Sequence, residues 1–271
     1  MIMNTLIKKY RLTLLIALFI ISLSSCEKEI DVDLRTVPPQ IVIEGIVKQD
    51  QLATVRVSHT LDFGNNNGYP NLSGAVVTIS DDQGNLEVLK QGANGWYTAE
   101  NIKGVIGHKY NMSVIYEGQE YTSTSQMPPR VPLDSVTIKK VAAIDNPFPV
   151  LHFLDPIGDT NQYYRVRLFI NGNQNRDLPE YVVSTEFSDG DPYKWELMVF
   201  ANDSDIDPIK KGDELTFEFQ CIDKGTHKFF DSLVNGVGTP TNPISNITNG
   251  ALGYFSACAT QEMTIVAEWE E

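Results

Sequence analysis

Basic charge is scarce in this 271-residue sequence: 21 Lys and Arg stand against 35 Asp and Glu, a formal net charge of −14. A non-specific nucleic-acid binder needs a cationic face to replace phosphate counterions, so that class is set aside. Histidine is scarcer still. His59, His108, His152 and His227 are the only four, no two lie within five positions, and no H-E-x-x-H occurs, so local spacing offers neither a zinc-protease motif nor a His-rich metal site. The nucleophile elbow G-x-S-x-G, the P-loop and G-x-G-x-x-G are also missing, which removes the common hydrolase and nucleotide signatures. Glycine (19) and proline (14) are too few for collagen or low complexity, and no apolar run reaches the ~20 residues of a spanning helix. What remains is 42% hydrophobic and 10% aromatic, enough for a packed core.

The first residues carry an address. Lys8, Lys9 and Arg11 precede an apolar run from Leu12 to Leu23, the n-region and h-region of a secretory signal. Leu23-Ser24-Ser25-Cys26 follows and resembles the bacterial lipobox, in which the Cys thiol takes a diacylglycerol before cleavage. Residues 1–25 are therefore expected to be a lipoprotein signal peptide, Cys26 the lipid attachment site, and residues 26–38 a tether. Acyl chains contribute ~0.8 kcal/mol per buried methylene, so several on one residue anchor stably without a protein helix. Glu27-Lys28-Glu29-Ile30-Asp31 resembles the acidic export signal of surface lipoproteins in Bacteroidota, with Ile30 where a second acid would stand; a cell-surface facing is expected, a periplasmic one the alternative. Loss of residues 1–25 leaves 18 Lys and Arg against 35 Asp and Glu, a net charge of −17. Such a body is repelled by anionic headgroups and is held at a membrane by lipid rather than charge.

Beyond the tether the expectation is all-β, two β-sandwich domains in tandem. Over residues 39–128, IVIEGIV, ATVRVSHT, AVVTIS, LEVLK, WYTA, HKYNMSVIY and QEYTSTS alternate apolar and polar residues, with turns at Asp81–Asn85 and Glu117–Gln119 where Gly supplies positive φ. Seven short strands suggest an immunoglobulin-like or transthyretin-like sandwich. Three prolines between Pro128 and Pro132 read as an extended spacer and domain boundary. Residues 133–271 read as a second β-rich domain: LDSVTIKKV, LHFLD, YYRVRLFI, YVVSTEF, YKWELMVF, DELTFEFQCID and MTIVAEW as strands, and Gly225–Val234 as one short helix with Phe229, Phe230 and Leu233 on one face. Long loops fall at residues 171–177, 186–191 and 235–253, where binding concentrates on a β scaffold.

Candidate chemistry is sparse. Asp203, Asp205, Asp207 and Glu214 match positions 1, 3, 5 and 12 of an EF-hand calcium loop, but position 6 is Pro208 instead of Gly, so a solvated acidic loop is the favoured reading. Cys221 and Cys258 could form a disulfide in an oxidising envelope, or stay as ordinary buried thiols. Trp96 and Tyr97 read as core, with ligand stacking as the alternative. Tyr181, Tyr193 and Trp195 are available as sugar platforms but alternate with apolar neighbours.

Several segments in order carry a family likeness: the lipobox with Cys26–Asp31, Leu72–Asp81, Gly95-Trp96-Tyr97, His108-Lys109-Tyr110, the Pro-rich junction, Asp155-Pro156 before Asn161–Arg165, and Asn242–Ile247 with Gly250 and Gly253-Tyr254-Phe255. Together they resemble the Bacteroidota outer-membrane lipoprotein family known as domain of unknown function 4249, over nearly the whole mature chain. The resemblance implies an accessory role beside a TonB-dependent receptor, and it carries over no catalytic or binding residues. The expected function is a non-enzymatic outer-membrane lipoprotein that captures a small-molecule, glycan or peptide ligand or docks on such a transporter, with no cofactor beyond the covalent lipid. A structural or adhesive surface protein displaying the Phe63–Pro70 loop is the alternative, and an envelope hydrolase the third reading.

Overall fold

The computed structural model describes residues 38–61, 70–141, 144–158, 163–174, 180–198, 209–236, 238–239 and 241–270. These belong to one compact unit that starts at Pro38. The fold is mostly strand with one described helix, as an all-β chain should be.

The strands are β1 (Ile41–Lys48), β2 (Leu52–His59), β3 (Val76–Asp81), β4 (Leu86–Val88), β5 (Lys90–Gln91), β6 (Trp96–Lys103), β7 (Lys109–Tyr116), β8 (Gln119–Gln126), β9 (Leu133–Val141), β10 (Ile144–Leu154), β11 (Tyr163–Ile170), β12 (Asn173–Gln174), β13 (Tyr181–Ser184), β14 (Pro192–Glu196), β15 (Glu214–Cys221) and β16 (Leu252–Val266). A nine-stranded sheet runs β12-β11-β15-β16-β1-β2-β6-β5, with β13 paired to β11. Two smaller sheets, β4-β3-β7-β8 and β14-β10-β9, complete the described β structure.

Alternation builds these strands. In β1, Ile41, Ile43, Gly45 and Val47 are buried while Val42, Glu44, Ile46 and Lys48 are only partly covered, the period of two that places successive side chains on opposite faces. The inward row meets the four-stranded sheet closely enough that a Cβ on Gly45 would lie 2.7 Å from the Phe255 ring and 2.8 Å from Met112 Sδ. Further along the same face, Phe153 of the three-stranded sheet stacks among Tyr164 (4.8 Å between ring centroids) and Phe219 (5.2 Å). One contiguous apolar core therefore runs under both small sheets. Between β7 and β8 the two-residue turn Glu117-Gly118 has both φ positive (49° and 80°), the hairpin geometry that matches strand twist.

The expected division into two tandem sandwiches is corrected here. β1 pairs in parallel with β16 across about the full length of the described chain, from Val42↔Leu252 to Lys48↔Cys258, so strands from both sides of the proline-rich junction share one sheet. Nor is the junction a solvated spacer. Met127 and Val131 are buried, Val131 N–H bonds the Cys221 sulfur (3.3 Å), and the Gln261 amide holds both the N–H and the C=O of Leu133 at 3.1 Å. Proline keeps that segment from joining a ladder, yet side chains can still pack it onto one.

Most of the strands expected from alternation form, and β16 is the large omission, since only its end from Met263 was expected as strand and Leu252 and Gly253 lay in the expected loop. Leu252–Thr260 is rich in Gly, Ala and Ser, which carry little strand propensity. Glycine is needed where β1 approaches: a Cβ on Gly253, at φ +97°, would sit 2.0 Å from Ile43 O. β10 begins earlier than the expected strand at Leu151; the β9–β10 ladder shifts register between Ile144 and Phe148, where Pro147 lies, and Pro149 stands in register opposite Ile138.

The helix α1 (Lys224–Asn235) forms where its apolar face predicts, with Phe229 and Phe230 buried and Leu233 more exposed. Asp223 caps it, accepting from Thr226 N–H at 2.7 Å and also from the Ser125 hydroxyl. Ser125 Oγ in turn accepts from Ala257 N–H (2.7 Å), so one carboxylate ties α1 to β8 and β16.

A groove across the large sheet

The inward face of the nine-stranded sheet is covered by the smaller sheets. Its other face, with α1 at one side, forms a groove of about 860 Å³. The floor comes from the alternate residues of interior strands, and strand register aligns them. Trp96 lies opposite Arg56, Arg56 opposite Glu44, and Glu44 opposite Tyr254, one continuous row across β6, β2, β1 and β16. Directly opposed residues share a face, so these four side chains stand side by side. α1 continues the row: the Phe230 ring is 4.8 Å from Tyr254, and the Arg165 guanidinium lies 3.9 Å over Phe230 and bonds Glu180 at 2.8 Å. Aromatic and charged groups thus alternate along the strip Trp96–Arg56–Glu44–Tyr254–Phe230–Arg165–Glu180.

Trp96 is 43% exposed although it sits in a strand of a large sheet. The cause is local. Gly95 adopts φ +74°, and a Cβ there would lie 2.4 Å from Val57 O, so glycine lets the chain close on β2 before Trp96 turns outward. Tyr97 turns the other way and is fully buried, its hydroxyl oxygen accepting from Ala75 N–H at 3.1 Å. The expectation that both aromatics are core is therefore corrected for Trp96 and holds for Tyr97.

Beside the strip lies a network of paired charges. Glu218, its side chain 5% exposed, bonds Lys48 on one side and Arg167 (2.9 Å) on the other, and the Gln220 amide donates to it at 2.9 Å. Burial raises its pKa, but the Lys48 and Gln220 hydrogen bonds and the Lys48 and Arg167 charges outweigh that, and the net direction is down. Arg165 donates to the Gln220 side-chain oxygen Oε1 as well (3.2 Å). Four basic side chains, Lys48, Arg56, Arg165 and Arg167, thus line the groove of a markedly acidic chain. Some hydrogen-bonding capacity is left over: Arg56 Nε and the Tyr181 hydroxyl are buried without a partner among the described residues. Tyr254 also lines the groove, and burial pushes its phenol up to about 12.

The family-like segment Asn242–Ile247 shapes one end. Pro243 lines the groove, while the Asn246 amide accepts from Phe255 N–H (2.9 Å) and donates to Phe255 C=O (2.8 Å), acting as a one-residue strand partner. Ser245 donates to Gly253 C=O at 2.8 Å. Both fix the backbone on either side of Tyr254.

The other sequence candidates lie elsewhere. Asp203, Asp205 and Asp207 are outside the described residues, as are residues 63–69 of the Phe63–Pro70 loop; Glu214 is exposed at the start of β15, its N–H bonded to Asn171. Among the described residues no group of three or more His, Cys, Asp or Glu could hold a metal ion. Cys221 and Cys258 are not joined. Cys221 lies opposite Ala259, so neighbouring Cys258 points to the other face of the sheet, where burial pushes its thiol up to about 12. Tyr181 and Trp195 are buried, and Tyr193 packs on Phe153 at 5.3 Å, so none is an open platform. Cys26 precedes the described residues. Among these residues no helix is long and apolar enough to cross a membrane.

The row was invisible to sequence reading because its members come from positions 44, 56, 96, 165, 180, 230 and 254. The one local signal was Gly95-Trp96, a glycine at a strand entrance before a large aromatic. No curated protein matches the chain. The family model described as domain of unknown function (DUF4249) matches residues 27–264, which include every residue named here as lining the groove, and the chain belongs to that family.

Proposed function

We propose that this chain is a non-enzymatic lipoprotein of the outer membrane that captures a ligand in the groove and serves as accessory to a TonB-dependent transporter. The observation that carries capture is the open end of the strip, an exposed Trp96 beside the partly exposed Arg56 and Glu44 with unpartnered groups at Arg56 and Tyr181 among the described residues, while Phe230 and Arg165 at the other end are buried. A large apolar or aromatic surface with a few placed polar groups is what small-ligand sites share. The carboxylates there, Glu44 and Glu180, are each held by an arginine, and no histidine lines the groove, so the arrangement favours binding over acid–base chemistry. Anchoring rests on the lipobox-like Leu23–Cys26, and cell-surface facing on Glu27–Asp31.

Two measurements test this. Cys26→Ser should release the chain from the membrane fraction into the soluble one; retention in the membrane would overturn the lipid anchor. Tagged wild-type protein from gently solubilised outer membranes should bring a transporter with it. Repeated recovery as a lone monomer would overturn the accessory role.

A further inference from the structure

We propose that the groove binds a saccharide chain laid across the strands, with a sugar ring on Trp96 and hydroxyls on the charged groups between it and Tyr254. This rests on reading the groove as a capture site.

Three features select that ligand class. The first is direction. β6, β2, β1 and β16 are successive neighbours in the sheet, so a chain lying from Trp96 to Tyr254, where the phenylalanines of α1 close the row, crosses three inter-strand steps of ~4.8 Å, or ~14 Å. That is too long for one ring and suits several in line. The second is what the floor offers. Peptides commonly bind by adding a strand to a free sheet edge, but β2, β1, β16 and β15 each have ladder partners on both sides. Their backbone groups are occupied, and a ligand meets side chains alone. The third is the order of those side chains. Trp96, half-exposed, stands beside the planar Arg56 guanidinium and the Glu44 carboxylate, which sit 3.5 Å apart and leave Arg56 Nε without a partner among the described residues. Tyr254 ends the open part of the row, because Phe230 packs on it and is itself buried with Arg165. A sugar ring has an apolar C–H face and a rim of hydroxyls that both donate and accept, so it matches an aromatic flanked by a donor and an acceptor. The basic excess of the lining suits hydroxyls and ring carboxylates alike, and neutral and acidic chains share this chemistry.

Titration calorimetry on the purified full chain in detergent decides the matter, with maltopentaose and cellopentaose as neutral probes, pentagalacturonate as the acidic one, and a panel of apolar, acidic and basic heptapeptides alongside. At least one pentasaccharide is expected to bind, and Trp96→Ala and Arg56→Ala each to weaken it about tenfold or more. Leu86→Ala, on the outer face of the four-stranded sheet, should leave it unchanged. Preference for pentagalacturonate or for a neutral probe separates acidic from neutral chains and upholds the inference either way. Binding of peptides in the groove, lost in the same two variants while the saccharides stay inert, would overturn the saccharide assignment and leave capture standing. Silence from saccharides and peptides alike would overturn both.

Discussion

The two faces of the nine-stranded sheet are made by the same strands and differ in everything else. Toward the smaller sheets, Ile43, Val47, Val55, Val57, Phe217 and Phe219 are buried in the apolar core. Toward the groove, the residues between them are Glu44, Lys48, Arg56 and Glu218. One face therefore holds the fold and the other is free to carry a site. The division is not complete, because β15 is covered on both sides and Glu218 and Gln220 are buried polar groups of the groove face. Substitutions on the inward face should cost folding, those at the covered end of the groove should cost some of both, and those at its open end should cost binding alone.

The largest effect is expected from Phe219→Ala, which empties a fully buried ring site between Phe153 and Tyr164 and should lower unfolding free energy by about 4 kcal/mol in urea titration. A loss under about 1 kcal/mol would show that the inward face is not the main support. Glu218→Ala comes next, at about 3 kcal/mol, because it leaves Lys48 and Arg167 facing each other with no anion between them. Its pH dependence has a fixed sign. Glu218 has a folded pKa below its unfolded value of 4.5, so its contribution is full above that value and is lost as pH falls through the lowered one. The stability gap between wild type and Glu218→Gln should therefore narrow on acidification below about pH 4.5; a gap that widens would break the assignment.

Asp223→Ala removes the α1 cap and the partner of Ser125 and should cost about 1–2 kcal/mol, measured the same way. Trp96→Ala should change stability by no more than about 0.5 kcal/mol, since the ring is half in solvent. A larger loss would make Trp96 a core residue and erase the contrast between the faces.

Much of this contrast was readable from sequence within each strand and almost none of it between strands. IVIEGIVK announces its two faces by alternation, and Phe229-Phe230 announces the buried side of α1. Gly253-Tyr254-Phe255 announces nothing, because the reason for its glycine is a backbone more than two hundred positions away, at Ile43. For the same reason the proline-rich junction read as a boundary: three prolines describe a segment that makes no ladder, and they do not describe whether Cys221 and Gln261 will pack and bond it. The thiols show the limit in small. Cys221 and Cys258 share a region of the chain, yet a single-residue offset in the β15–β16 register puts them on opposite faces.

By itself the sequence determined the acidic charge, the lipobox-like start, the all-β class and which residues of each strand turn inward, since these depend on composition and on a period of two. Tertiary structure alone decided that the two halves share one sheet and that Trp96, Arg56, Glu44 and Tyr254 stand in a row. The parallel pairing of β1 with β16 does this. It joins strands about two hundred residues apart, and such long-range pairing is fixed by complementary packing of side chains and small residues rather than by any local pattern.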